Sequence, residues 1–218
     1  MVWSSVNTVV EKQFGGDQSN VWTEIVCPNL RLRMHLPIYA INLDRRPDRW
    51  EAVTGNLGRL SLRPTRITAV DGQTASHDEL KKWVATDNAP FLTIVRGAQA
   101  CVLSHARAWE ALLGSSLPAP LVAEDNALFA AGIGSVPGDD LAWRPDRAGP
   151  IQLETLRDKK RLLLGSECGR TPEGRAICQV ACWSGVSAAY LVDRRAGRDC
   201  LGCRFRGRHA DRRYPQTS

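Results

Sequence analysis

Leu121-Val122-Ala123-Glu124-Asp125-Asn126 sets two carboxylates and an amide directly after a short apolar run. In an open α/β sheet, ligands bind beyond the carboxyl ends of the strands. Acids at such a place can hold a hard divalent cation, Mg²⁺ or Mn²⁺, and that cation can hold a diphosphate. By spacing alone an acidic loop at a strand end is the simpler reading. A second segment, Asn42-Leu43-Asp44-Arg45-Arg46-Pro47-Asp48-Arg49, also follows an apolar run. Arg45, Arg46 and Arg49 there carry forked donors suited to phosphate, with a helix N-terminus behind them. Its simpler reading is a solvated helix start laced with ion pairs. Cys101 and His105 stand four apart and share one helix face. Two ligands make no zinc site without partners, so a packed helix with one satisfied core histidine is favoured. Cys200-Leu201-Gly202-Cys203 is a lone CxxC with irregular spacing to Cys178 and Cys182, and structural or incidental thiols are favoured over zinc.

The elements that must position these residues follow from pattern. Ile38-Tyr39-Ala40-Ile41-Asn42-Leu43 reads as a buried strand. Asp44 is expected to cap the next helix, which has Pro47 in its first turn and Trp50, Val53, Leu57 and Leu60 at helical spacing. Arg66-Ile67-Thr68-Ala69-Val70 reads as a second strand closed by the Asp71-Gly72 turn. Helices are expected over 78–84 and 98–113, the latter with Val102, His105, Trp109, Leu112 and Leu113 on one stripe. Leu121-Val122-Ala123, Ile151-Gln152-Leu153-Glu154 and 161–164 are further strands, and 184–200 is a final helix with Ala188, Leu191 and Val192 inward. Strands alternating with helices argue an α/β fold with a mostly parallel sheet.

The chain has 218 residues with 29 Lys+Arg against 23 Asp+Glu, a net charge of +6, and 43% hydrophobic residues. This is globular composition with enough length for a sizeable core, and it excludes wholesale disorder. No apolar run reaches the ~20 residues of a membrane span. The start, MVWSSVNTVVEKQFGGDQSN, lacks the features of a secretory signal, and seven scattered cysteines suit reduced thiols, so a cytoplasmic location is expected. Five arginines fall between positions 204 and 213, so most of the basic excess sits in the tail, and a nucleic-acid partner is not expected. Residues 1–33 read as a non-core extension, with Met34 resembling a natural chain start. Residues 34–201 read as the domain and 202–218 as a basic irregular tail.

The order INLDRRPDRW, AVDG, GAQACVLSHARAW, LVAEDN, IQLET…LLLG and GVSAAYLVDRRAG resembles glycosyltransferase family 25, the lipopolysaccharide biosynthesis glycosyltransferases. The resemblance runs from about position 37 to about 200. It implies a GT-A-like, Rossmann-type sheet flanked by helices. It also implies transfer of a hexose, galactose above all, from a UDP-sugar to a lipopolysaccharide or other envelope oligosaccharide acceptor. Mn²⁺ or Mg²⁺ is the implied cofactor, and any membrane contact is peripheral, at the inner face of the cytoplasmic membrane. On this resemblance Glu124, Asp125 and Asn126 form the metal motif. Asn42, Asp44, Arg45, Arg49, Asp71, Ser104 and His105 lie by the donor, and Asp125 and Glu154 are the catalytic candidates.

The chain departs from the family pattern in three places. Asn126 stands where the family has a third acid, and Ala100 where it has glycine. The C-terminal region after Tyr190 is short, with the Arg-rich tail resembling translation in a shifted frame. These departures leave a catalytically impaired or inactive truncated relative as the alternative reading.

Overall fold

The computed structural model describes residues 8–10, 36–81, 84–85, 95–136, 142–146, 148–153, 164–172, 174–180, 188–202 and 205–206. In chain order the elements are β1 (Thr8–Val10), β2 (Ile38–Asn42), α1 (Pro47–Arg59), β3 (Pro64–Thr68), α2 (His77–Lys81), β4 (Val84–Ala85), α3 (Arg96–Gly114), β5 (Leu121–Glu124), β6 (Ile151–Gln152), β7 (Leu164–Arg170), β8 (Ala176–Val180), β9 (Ala189–Leu191), α4 (Arg194–Gly202) and β10 (Phe205–Arg206). The main sheet runs β3-β2-β5-β9-β6-β1-β8-β7. β2 is parallel to both β3 and β5, while β9 is antiparallel to β5 and β6. The expected α/β architecture is present, and the sheet is mixed, parallel through β3-β2-β5 and again between β6 and β1.

Period-two alternation sorts the strands into two layers of core. Ile38, Leu121, Ala123 and Leu191 face α1, where Val53 and Leu57 meet them. Tyr39, Ile41, Val122 and Tyr190 face the opposite way onto Trp109 and Leu112 of α3 and Ala196 and Cys200 of α4. The chain leaves β2 through α1 to reach β3 on one side, then returns through α3 to β5 on the other. Strand order therefore reverses at β2, and a crevice opens between the carboxyl ends of β2 and β5.

Three sequence expectations change here, the first being the helix expected over 78–84: α2 closes at Lys81 and Val84 lies in β4. The stretch expected as a helix over 184–200 contains β9, and helix begins only at Arg194. Ala189, Tyr190 and Leu191 are all buried between β5 and β6, a position that satisfies their backbone on both sides. Asp193 then starts α4, accepting the Ala196 N–H at 2.6 Å. Asp44 does not cap α1: Arg46 occupies the cap position without a side-chain bond, and the Asp44 carboxylate pairs with Arg66 at 3.0 Å. Within 1–33, expected as non-core, Thr8–Val10 pairs with β6 and β8. In the tail, β10 pairs with β4. Residues 161–163 and 184–187 lie outside the described residues.

α1 ends in a Schellman turn: the Ser61 N–H bonds Gly58 O at 3.0 Å and the Leu62 N–H bonds Leu57 O at 3.0 Å. Ser61 takes the left-handed conformation there, φ 59°. A side chain at that position costs about 1 kcal/mol relative to glycine. Buried Asn56 ties α1 to the segment after β5, donating to Phe129 O at 3.2 Å and accepting the Phe129 N–H at 2.7 Å. Ser61→Gly is expected to stabilise the protein by about 0.5–1 kcal/mol. Asn56→Ala is expected to destabilise it by about 2–4 kcal/mol by orphaning two backbone groups. Urea unfolding with an unchanged m-value checks both.

Candidate active-site cleft

The crevice is a cleft of about 680 Å³. Its walls come from the ends of β2 and β5, the first turn of α1, the 69–73 turn after β3 and the first three turns of α3. This is the place that the acidic strand end and the arginine-rich segment predict.

Asn42, 1% exposed at the end of β2, joins these elements. Its amide nitrogen donates to Asp125 Oδ2 at 2.7 Å and to Arg46 O at 3.0 Å. Its Oδ1 accepts from Arg66 Nη2 at 2.6 Å and Nε at 3.0 Å. Every donor and acceptor of the side chain is thus used. Asp125 also meets Arg49 Nη1 at 3.4 Å, and Arg45 pairs with Asp71 at 2.5 Å. The Arg45 guanidinium, helped by the Gln73 N–H, holds the Asp71 carboxyl below the usual carboxylate range.

The 69–73 turn is pinned against α3 from three directions. The Val70 N–H donates to Ser104 Oγ at 2.8 Å, while Ser104 donates to Ala100 O at 2.7 Å. Arg96 Nε bonds Gly72 O at 3.0 Å. A Cβ on Gly72 would stand 3.0 Å from Arg96 O, so any other residue would push the turn and the helix apart by a few tenths of an ångström.

Glu124 and Asp125 are consecutive, and strand alternation sends them to opposite faces. Asp125 turns to the α1 side. Glu124 turns to α3, with Oε1 at 3.5 Å from His105 Nε2 and 3.9 Å from Cys101 Sγ. His105 Nδ1 meets Tyr190 Oη at 2.9 Å, and Tyr190 Oη also accepts the Trp109 indole N–H at 2.9 Å. Burial pushes the Tyr190 hydroxyl well above its ordinary value, so it stays a neutral phenol. Burial first, and the Glu124 charge second, push the Cys101 thiol up to about 11.

Asn42, Arg45, Arg49, Asp71, Ser104, His105, Glu124 and Asp125 are therefore brought together at the cleft, Asn42 from just behind its wall. Asp44 is 72% exposed and turned to Arg66, away from the cleft wall. Arg46 is drawn off by Asp48, with bonds of 2.8 and 2.6 Å. Asn126 is exposed and lies outside the cleft wall. Glu154 lies outside the described residues. Sequence reasoning passed over Arg96, Gln73 and Tyr190. Arg96 opens α3 just before the recognised motif, and Tyr190 was hidden by reading its strand as helix.

The expected Glu124–Asp125–Asn126 cradle for Mn²⁺ or Mg²⁺ does not fit this arrangement. Such ions need converging oxygens. Here Glu124 turns toward sulfur and imidazole, Asp125 toward Asn42 and Arg49, and Asn126 toward solvent. Among the described residues no helix is long and apolar enough to cross a membrane.

Comparison with known proteins bears on this geometry. Residues 35–139 match the family described as Glycosyltransferase family 25 (LPS biosynthesis protein). Over those residues the chain is a glycosyltransferase family 25 domain. It is 34% identical over 98 residues to a glycosyltransferase 25 family member of Aedes aegypti. It is 31% identical over 98 residues to procollagen galactosyltransferase 2 of Mus musculus, and 29% over 99 residues to the inactive glycosyltransferase 25 family member 3 of Homo sapiens. Each alignment covers 42% of this chain and 16% of the relative, so the chain spans about a sixth of the length of the curated relatives it matches.

With its thiol raised to about 11, Cys101 is expected to resist alkylation. Roughly a thousandth of it is thiolate at pH 8, and the rate should climb about tenfold per pH unit toward 11. Among the described cysteines, exposed Cys168 should be labelled first. Peptide mapping of iodoacetamide-treated, chelator-washed protein measures the order.

Proposed function

We propose that this chain binds a nucleotide sugar in the cleft and transfers its hexose, galactose in the first instance, to an envelope oligosaccharide acceptor. The observation that carries the reading is the cleft between the carboxyl ends of β2 and β5, with Arg45, Arg49 and Arg96 on its wall. The family match over 35–139 points the same way, as does the likeness to a galactosyltransferase. The unit assigned to this activity is 34–201, with the GT-A-like arrangement built on β3-β2-β5. A lipid-linked acceptor would bring the protein to the inner face of the cytoplasmic membrane, held there by its basic surface.

In the transfer, the acceptor oxygen bonds to the anomeric carbon and the bond from that carbon to the diphosphate breaks, its electron pair leaving on the diphosphate. Guanidinium groups fixed in advance stabilise that developing charge. Arg49 and Arg45 serve this role, each oriented by a carboxylate, Asp125 and Asp71. The hydroxyl proton goes to a carboxylate within reach, for which Asp125 is the candidate in the cleft. No step is assigned to a hard cation on Glu124–Asp125–Asn126, because those groups diverge.

One observation favours a second reading, binding without turnover. Curated relatives at similar identity include members named inactive, in Homo sapiens and Mus musculus. Calorimetry with UDP-galactose, UDP-glucose and free UDP tests the binding, and release of UDP with added oligosaccharide tests the transfer. Arg45→Ala and Arg49→Ala should each weaken donor binding about 10-fold or more, the worth of a charge-assisted bond. Asn126→Asp should leave it within about twofold. Folded protein that binds no nucleotide sugar overturns the transferase reading. Binding without UDP release on any acceptor supports the second one.

A further inference from the structure

The donor set of Cys101, His105 and Glu124 belongs to a different class of ligand from the acidic strand end. One thiol sulfur, one imidazole nitrogen and one carboxylate oxygen lie within 4.8 Å of one another. The Glu124 Oε1 to His105 Nε2 distance is 3.5 Å and the Glu124 Oε1 to Cys101 Sγ distance is 3.9 Å. Around a tetrahedral zinc ion, with bonds of about 2.0–2.3 Å, ligand atoms stand about 3.3–3.6 Å apart. The trio is thus within a small side-chain adjustment of closing on one ion.

Three further features fit such a site. Cys101 and His105 are separated by one turn of α3, which fixes their relative placement through a rigid helix rather than a loop. The His105 ring is held from behind: its Nδ1 faces Tyr190 Oη, which is itself fixed by the Trp109 indole N–H. Ligating histidines are usually oriented by such a partner on their other nitrogen. All three donors also line the cleft, so a fourth position on the ion would face solvent or an anionic oxygen entering there.

We propose that Cys101, His105 and Glu124 form a three-ligand site for a zinc-class divalent cation, with its open position toward the cleft. Thiolate and imidazole select this class over Mg²⁺ and Mn²⁺, which prefer oxygen alone. On binding, the Cys101 thiol gives its proton to solvent and the sulfur bonds the ion; no electron is transferred. Glu124 is then a ligand shared with sulfur and nitrogen, and Asp125, on the opposite face, is not part of the site. The site stands or falls without reference to a nucleotide sugar.

The test uses the full chain, washed with chelator and titrated with Co²⁺ alone, then with Zn²⁺ in competition. The expected result is one equivalent bound, with a thiolate-to-cobalt charge-transfer band and the intense visible absorption of four-coordinate cobalt, both bleached by Zn²⁺. Cys101→Ser should abolish the charge-transfer band, and Cys101→Ser, His105→Ala and Glu124→Gln should each weaken binding by on the order of 100-fold. Cys168→Ser and Asp125→Asn should leave the spectrum unchanged. Circular dichroism of each variant separates lost binding from lost fold, and Glu124→Gln, nearly isosteric, keeps the test open if His105→Ala unfolds. A band that survives Cys101→Ser overturns the proposal. So does weak six-coordinate cobalt without a thiolate band that is lost in Asp125→Asn, or no binding above that of a variant combining Cys101→Ser, His105→Ala and Glu124→Gln. Donor calorimetry in the presence of chelator is read separately, so failure here leaves the transferase reading standing, and the reverse.

Discussion

The cleft depends on one buried amide. Asn42 has no access to water, so each of its polar groups needs a partner within the protein, and an amide left half-satisfied costs on the order of 1–3 kcal/mol. Its four bonds reach β3 through Arg66, the loop before α1 through Arg46 O, and the end of β5 through Asp125. The residue that satisfies itself is therefore the one that ties the segments leaving β2 and β5 to each other and to β3. A carboxylate at position 42 would set a negative charge against Asp125 at hydrogen-bond distance, and an aliphatic group would release all three neighbours. The need for both a double donor and a double acceptor at one point leaves asparagine or glutamine, and the reach selects asparagine.

A second constraint holds the opposite wall. The 69–73 turn carries Asp71 to Arg45, and it does so because α3 begins against it. Ser104 supplies the Val70 amide with an acceptor that the end of β3 no longer provides, and Gly72 removes the one atom that would hold the helix away. Both residues act through backbone placement. Ser104 accordingly contributes to the site as a positioning residue, its hydroxyl committed at both ends.

The sequence carried the frame of this site clearly and its wiring poorly. β2, α1, β3, α3 and β5 each have a strong local signature: a β-branched run, a proline in a first turn, a long apolar stripe. β9 does not. Ala188, Leu191 and Val192 sit at helical spacing, and only pairing with β5 and β6 decides for strand, a tertiary effect that local pattern does not contain. The same gap hid Tyr190 behind His105. Asp44 looked like a helix cap because cap preference is local, but Arg66, twenty-two positions on, offers it a charge. Cys101 and His105 were visible as a pair on one helix face; their third partner came from a strand nineteen residues beyond His105, out of reach of any spacing argument.

Strand alternation also settles the electrostatics of the cleft. Had Glu124 and Asp125 converged, two adjacent negative charges would dominate its floor. Sent to opposite faces, each has its own surroundings: Asp125 pairs with Arg49, and Glu124 lies against the edge of the His105 ring. Arg45 is answered by Asp71, whereas Arg96 bonds only carbonyls among its described hydrogen bonds, so its charge is not cancelled by a carboxylate in contact. A diphosphate entering here would compete with Asp71 and Asp125 for their arginines, and it gains most where a positive charge is not already spent. A divalent ion on Cys101, His105 and Glu124 would shift that balance by one unit, since the thiol surrenders its proton as the ion arrives. An anion entering the cleft would thus meet Glu124 beside an imidazole and a thiol, and Asp125 beside the guanidinium of Arg49.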